Sequence, residues 1–543
     1  MKSKLLISVF LGSALGLSAQ GFKDGVEYYR ADQPEEAAII LKNTLNQAGT
    51  DQSTAYYYLG QIALQNGDKA TAKSNFDQGI SLDPNNGYNY VGLGALALTN
   101  GDAAAAKDYF KDAKKLAKKN ADILTDVARA YFQADPVKYA EEIDKYLADA
   151  KKAVKNAPSP FILEGDRLAK TDVGEAAGMY EMAAQFDTKL EHPEAYVKYA
   201  RTYFPVNPQY AIDKLKALLD AQPNSALAQR ELAEKYYEDN QLTRAAEQYE
   251  KYIKNPNHFK KDKQRLVGLM FFAKRYPESY DLATEILGED PTNFYMQRLQ
   301  FYNKKAMGEK ENAKAAAEKL FSNPKAEINS QDYIQYGELL QDMGQDTMAV
   351  DMYEKAVAMS PDKTALLKDL SSAYSSAKMY DKAADTMAKF IESEGAEANP
   401  NDILQLARRY QNLAISYMET DSVASAAAAA KALEAINNVV ERVPDNPLVL
   451  NTKSDILRVA SRGVVTPEVI EADQATLTAL DSDPANLEKR KNIYRAIYGR
   501  LGNYYLTNKD VPTAKMYFQK FYEVEPSEEL KTFIETLGTE QPQ

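Results

Sequence analysis

Glycine, alanine and an aromatic residue recur in one register along this chain, and that register leaves few folds open. From Gly60, Gly94, Gly337 and Gly502 the same offsets reach Ala72, Ala106, Ala349 and Ala514, then Phe76, Phe110, Tyr353 and Phe518. Three of the four frames end on a proline at one further spacing: Pro84, Pro361 and Pro526. A unit that repeats in this way buries its apolar face against its neighbours, not in one closed core. At 543 residues the chain also exceeds what a single compact core usually organises. The expectation is an all-α array whose function lies on a surface.

The apolar periodicity predicts about fourteen helix pairs. They cover residues 22–45, 55–82, 88–116, 123–154, 161–186, 195–221, 226–253, 264–287, 294–321, 333–359, 366–391, 403–443, 448–480 and 487–524, with a closing helix near Glu528. Pro84, Pro158, Pro223, Pro361, Pro444, Pro484 and Pro526 sit where a helix has ended, since proline has no N–H to donate. Asn85, Asn224, Asp362, Asp445 and Ser527 follow and are expected to cap the next helix. Within pairs, Asn66-Gly67-Asp68 and Asn100-Gly101-Asp102 supply tight reversals. Looser loops at Ser322 to Ser330 and Glu392 to Asn401 are expected to divide the array into residues 20–325, 326–395 and 396–543.

Small residues are needed where two helix backbones approach, because ridge-into-groove packing holds axes roughly 8 to 10 Å apart. Gly60, Gly94, Ala72 and Ala106 meet that demand, and Tyr56, Tyr90, Tyr333 and Tyr498 supply the bulk beside them. These frames resemble the tetratricopeptide repeat, whose period of about 34 residues matches Gly60 to Gly94. The four tyrosines stand where that family often has tryptophan. The resemblance implies a right-handed superhelical solenoid of stacked antiparallel helix pairs, with the first helix of each pair lining a concave groove. It also implies a scaffold for partners of many kinds. The family's clamp for a C-terminal carboxylate uses lysine and asparagine on that wall, and the matching positions here do not carry them.

Lys2 and Lys4, an apolar run from Leu5 to Leu17, and Ser18-Ala19-Gln20 have the layout of a secretory signal over residues 1–19. Export is therefore expected, with the mature chain periplasmic and in contact with an envelope or outer-membrane complex. No later stretch approaches the roughly 20 apolar residues of a transmembrane helix. Cysteine is absent, which excludes disulfides, thiol nucleophiles and a lipoprotein anchor. Removing Lys2 and Lys4 leaves 64 basic against 78 acidic residues, net −14, a balance that argues against nucleic-acid binding.

Chemistry is sparse. His192 and His258, the two histidines, fall in inter-repeat segments about two repeats apart, and His192 reads as a loop residue before a helix start. Gly92, Gly94 and Ala97 match a dinucleotide-binding spacing but lie inside a helix, where close packing explains them. No catalytic residue, metal site or cofactor is expected, and the chain is not expected to be an enzyme. Basic runs at Lys114, Lys115, Lys118 and Lys119 and at Lys260, Lys261, Lys263 and Arg265 read as solvated helix faces.

Paired aromatics at Tyr131-Phe132, Tyr203-Phe204, Tyr236-Tyr237 and Phe271-Phe272 give the sharpest functional signal. Adjacent helical residues point about 100° apart, so one member enters the core while the other turns to another surface. Helical phase places Phe132, Phe204, Tyr237 and Phe272 on the groove wall with Arg129, Arg201, Arg230 and Arg265. Arginine and aromatic residues are the common anchors of protein interfaces. The expected site is a groove over about Asp122 to Tyr280 for an acidic or extended protein segment. The alternatives are that the aromatics pack between repeats and the arginines pair with acids such as Glu234, or that the aromatics stack on carbohydrate or peptidoglycan. Self-association through exposed tyrosines is also left open.

Overall fold

A computed structural model describes residues 21–483 and 485–537; the expected leader at 1–19 and Pro484 lie outside the described residues. The described chain is built of helix pairs, in two compact units, Met1–Pro291 and Thr292–Gln543. In unit 1 the pairs are α1 (21–30) with α2 (Pro34–Thr44), α3 (Gln52–Gln65) with α4 (Lys69–Leu82), α5 (Gly87–Thr99) with α6 (Ala103–Ala117), and α7 (Ala121–Ala134) with α8 (Ala140–Ala153). They continue as α9 (Pro158–Leu168) with α10 (Val173–Phe186), α11 (Glu194–Tyr203) with α12 (Pro208–Ala221), α13 (Ala226–Glu238) with α14 (Leu242–Tyr252), and α15 (Lys260–Phe272) with α16 (Tyr276–Glu289).

Unit 2 runs through α17 (Phe294–Ala306) with α18 (Lys310–Phe321), α19 (Ser330–Asp342) with α20 (Asp346–Met359), and α21 (Leu366–Ser376) with α22 (Tyr380–Glu394). It continues with α23 (Pro400–Tyr417) and α24 (Ser422–Arg442), then α25 (Pro447–Ala460) and α26 (Pro467–Asp481). A short α27 (Asn486–Lys489) precedes α28 (Lys491–Thr507) with α29 (Val511–Val524), and α30 (Glu528–Thr536) closes the unit. The fold is therefore the all-α solenoid of stacked antiparallel pairs that the repeat register implied. The loops expected to divide the array lie inside unit 2, one between α18 and α19 and one at the 3-10 turn Gly395–Glu397.

Each glycine frame marks a place where a backbone meets a ring edge. A methyl group at Gly60 would stand 2.3 Å from the Phe76 ring, and one at Gly94 2.3 Å from Phe110. Gly337 and Gly502 bear the same relation to Tyr353, at 2.9 Å, and Phe518, at 2.7 Å. Gly165 makes a fifth contact of this kind, 2.5 Å from Tyr180, in a frame one residue shorter than the others. Gly92 packs on Phe76 from the next pair, at 2.3 Å, so the glycines that mimic a dinucleotide motif are occupied by helix packing. Phe76 and Phe110 are fully buried; burial of such a ring stabilises by about 1.5–3 kcal/mol.

The reversals inside pairs also follow from their residues. Gly67 and Gly101 adopt φ of +79° and +81°, left-handed values that glycine takes without steric cost. Asp68 and Asp102 then cap α4 and α6, accepting the Thr71 and Ala105 amides at 3.0 and 2.9 Å. Between pairs, Ser527 caps α30 as expected. The other assigned caps need correction. Asn86, Ser225 and Asn446 cap α5, α13 and α25 in place of Asn85, Asn224 and Asp445, and α21 has no side-chain cap. An extra turn residue after Pro84, Pro223 and Pro444 moves the cap by one position.

Gly60→Ala is expected to lose about 1–3 kcal/mol through overpacking against Phe76. Gly178→Ala, inside α10 where a methyl group meets nothing within 4 Å, is expected to gain up to about 1 kcal/mol of helix propensity. Denaturant melts of the two variants check the register; an unshifted melt for Gly60→Ala contradicts it.

Candidate functional site: the first-helix wall

In unit 1 the first helices of successive pairs, α3, α5, α7 and α9, contact one another directly and form a wall. Arg129 on α7 reaches Asp166 on α9 at 2.6 Å. Arg201 on α11 grips both carboxylate oxygens of Glu231 on α13, Nε at 3.1 Å. Arg230 on α13 binds Asp262 on α15 through Nε at 3.0 Å and Nη2 at 3.3 Å. Arg265 on α15 meets Glu234 at 3.1 Å and lies 4.1 Å over the Tyr237 ring. All four arginines singled out in the sequence thus join one pair to its neighbour through a carboxylate. Forked guanidinium–carboxylate contacts of this kind fix orientation as well as charge.

The four aromatics divide. Phe132, Phe204 and Tyr237 are half-buried against the core, and Lys235 Nζ sits 4.8 Å over the Phe204 ring. Phe272 is 52% exposed, edge-on to Phe271 with centroids 5.7 Å apart. The basic runs are also paired in part, Lys114 with Asp149, Lys261 with Glu36 and Lys263 with Glu285.

The wall already holds a segment of protein, the chain's own α1 and the turn after it. Arg30 donates to Tyr58 Oη at 3.1 Å and to Asp122 at 3.3 Å, while Tyr28 meets Phe259 edge-on at 5.4 Å. Arg201 Nη1 donates to the Ala31 carbonyl at 2.7 Å, Arg230 Nη1 to Gln33 Oε1 at 2.9 Å, and Lys198 to Asp32 and Asp166. Ser225 donates to Glu27 at 3.1 Å and Asn257 to Asp24 at 2.6 Å. The contacts of α1 and its turn link residues 28 to 233 positions apart in sequence. Since α1 and the turn after it touch α3, α7, α11, α13 and the start of α15 at once, the wall curls around this segment.

His192 is part of this packing. It is 4% exposed, with Nδ1 2.9 Å from Glu194 and Nε2 3.4 Å from Asp122. His192 does lie in the loop before α11, as the sequence indicated, and its ring is buried there between two carboxylates. Burial opposes its charge, but Glu194 and Asp122 outweigh burial and push its pKa up to about 10. Glu27 on α1 moves the other way in charge: burial first, then the Asp24 charge, pushes its carboxyl up to about 8. Among the described residues, no group of three or more histidine, aspartate or glutamate side chains is placed to hold a metal ion. No helix among them is long and apolar enough to cross a membrane.

The sign of the pH dependence follows. His192, raised from 6.5, contributes fully below that value and loses its contribution as pH climbs through about 10. Glu27, raised from 4.5 to about 8, is docked neutral, so its ionisation opposes docking increasingly across that window. Both weaken the hold on α1 as pH rises. The melting temperature of unit 1 is expected to fall between pH 6 and pH 10, and Glu27→Gln to lessen the fall below about pH 8 while leaving the share of His192 in place. A melting temperature flat over this range contradicts the assignment.

Models of the tetratricopeptide repeat match at residues 53–86, 207–258 and 333–363. Among solved structures, the C-terminal part of a TPR repeat-containing protein from Cytophaga hutchinsonii is 16% identical, with a TM-score of 0.41 over 50% of this chain and 98% of that one. A tetratricopeptide repeat protein from Parabacteroides merdae is 14% identical, with a TM-score of 0.27 over 59% of this chain and 98% of that one. No curated protein matches. The glycine frames, the paired helices and the three matched segments together make this chain a tetratricopeptide repeat protein.

Proposed function

We propose that this chain is a non-enzymatic scaffold that holds a protein partner on the concave wall of its repeats within a bacterial cell-envelope assembly. One observation carries the reading. The first-helix wall of unit 1 already grips α1 and the turn after it through Tyr58 on α3, Asp122 on α7, Lys198 and Arg201 on α11, Arg230 on α13 and Phe259 at the start of α15. A surface that holds one such segment within the chain has the chemistry to hold another from outside it. Placement in the periplasm or against the outer membrane rests on the leader expected at residues 1–19.

Of the eight residues singled out for partner binding, Arg265 and Phe272 lie beyond α1 and remain accessible, whereas Arg201 and Arg230 also bind the α1 turn. A variant carrying Arg265→Glu and Phe272→Ala therefore tests the wall while leaving the α1 contacts in place. In crosslinking and affinity capture from the native envelope, wild type is expected to recover one protein that the variant loses. Recovery of no protein overturns the scaffold reading.

A carbohydrate reading has its own observation, away from the groove. Tyr203 and Tyr210 stack at 7° and 6.4 Å, Tyr199 adjoins them at 5.4 Å, and Glu181, Asp213 and Lys214 line the same shallow pocket. Rings beside carboxylates suit sugar stacking. Co-purification of glycan from wild type, lost in Tyr210→Ala, would favour it.

A further inference from the structure

Arginines on the first helices of this chain meet carboxylates from neighbouring pairs. Beyond the four in unit 1, Arg298 on α17 binds Asp332 at 2.7 and 2.8 Å, and Arg500 on α28 binds Asp473 at 2.9 and 2.8 Å. On α23 the arrangement breaks. Arg409 reaches across to α21 and finds only hydroxyls: Ser371 at 3.3 Å from Nε, Ser375 at 3.2 Å from Nη1 and Ser372 at 3.2 Å from Nη2. Arg408, the preceding residue, reaches the other way to Thr452 on α25 at 3.4 Å.

Neither guanidinium forms an ion pair among the described residues, although the chain carries 78 acidic residues and a net charge of −12. The gap is therefore local. Burial first, then the adjacent Arg408 charge, lowers the proton affinity of Arg409 below its ordinary value. Serine and threonine cannot neutralise a guanidinium, but their hydroxyls can donate to a carboxylate that does. Ser372 is exposed, so the Nη2 edge of Arg409 is open to solvent.

We propose that Arg408 and Arg409, with Ser372, Ser375 and Thr452, form a seat for an acidic protein segment on the first-helix wall of unit 2. The inference rests on the scaffold reading and names the chemistry of its partner. Successive helical residues point about 100° apart, and these two lean toward helices on opposite sides of α23. They offer two separate carboxylate seats, which suits Asp or Glu side chains spaced along a peptide. A compact phosphate would need donors that converge. Each occupied seat would reproduce the arginine–carboxylate contact found elsewhere on the wall, with the carboxylate supplied from outside.

The probe is a hexaglutamate peptide with a fluorescent N-terminal label and an amidated C terminus, titrated by anisotropy into the full chain. Wild type is expected to bind hexaglutamate and not hexaglutamine, with affinity that falls as salt is raised. Arg408→Gln and Arg409→Gln are each expected to weaken binding by about tenfold. Arg265→Gln is expected to leave it unchanged. The melting temperature of Arg409→Gln is expected to hold or rise, since the change removes a half-buried charge with no counter-ion. Equal binding of the two peptides by wild type, undiminished binding by Arg409→Gln, or a lowered melting temperature of Arg409→Gln with binding intact overturns the proposal. Capture of an envelope partner by a chain that does not bind hexaglutamate rejects the acidic ligand alone and leaves the scaffold reading standing.

Discussion

The structure depends on a contact made in five of its helix pairs: a glycine backbone pressed against the edge of a buried aromatic ring. Gly60 on Phe76, Gly94 on Phe110 and Gly502 on Phe518 bring two helices closer than any side chain at the glycine would permit. Phe76 also receives Gly92 from the following pair, so one ring sets both the spacing inside a pair and the spacing to the next. Interiors packed at crystal-like density transmit such a spacing with little give. The alignment of the first helices, and hence of everything on the wall they form, follows from it.

On that wall, charge does what apolar area does in the core. A guanidinium from one pair and a carboxylate from another are brought within 2.6 to 3.3 Å at Arg129–Asp166, Arg230–Asp262 and Arg298–Asp332. Burying such groups costs about as much as the pairing returns, so their main effect is to specify which helix meets which. Arginines neutralised in this way still have a free N–H edge, which Arg201 and Arg230 turn to the α1 turn. The same side-chain pairing holds α1 and its turn in unit 1, where Arg30 meets Asp122 and Gln33 meets Glu231. It also makes the serine-faced pair on α23 stand apart, because there the carboxylate is missing.

Much of the architecture was legible from local pattern. The fourteen pairs and the closing helix at Glu528 follow from apolar periodicity and proline placement, and the reversals at Gly67 and Gly101 from turn chemistry. The Gly165 frame escaped because its loop is one residue shorter, which shifts Tyr180 out of the common offset. Sequence phase placed Arg129, Arg201, Arg230 and Arg265 on the wall, but in a chain so rich in acids it had no means of assigning each one its carboxylate. The docking of α1 was invisible for a different reason: Asp24 and Asn257 are 233 residues apart, and nothing local reports such a contact. The loop position of His192 was legible, but its burial was not, since Asp122 reaches it from α7. For Arg408-Arg409 a signal did exist, in Ser371, Ser372 and Ser375 about one repeat upstream, where Arg265 and Arg500 find Glu234 and Asp473.

The most direct test of this account is native-state hydrogen exchange of residues 21–30 in the full chain. If the wall of unit 1 holds a helical segment, the amides of α1 will be protected as strongly as those of α3 and α13, because opening α1 means breaking contacts to the whole wall. Exchange of these amides at the rate of an unstructured chain, with α3 and α13 still protected, would show that the wall does not hold α1 and would remove the observation on which the scaffold reading stands.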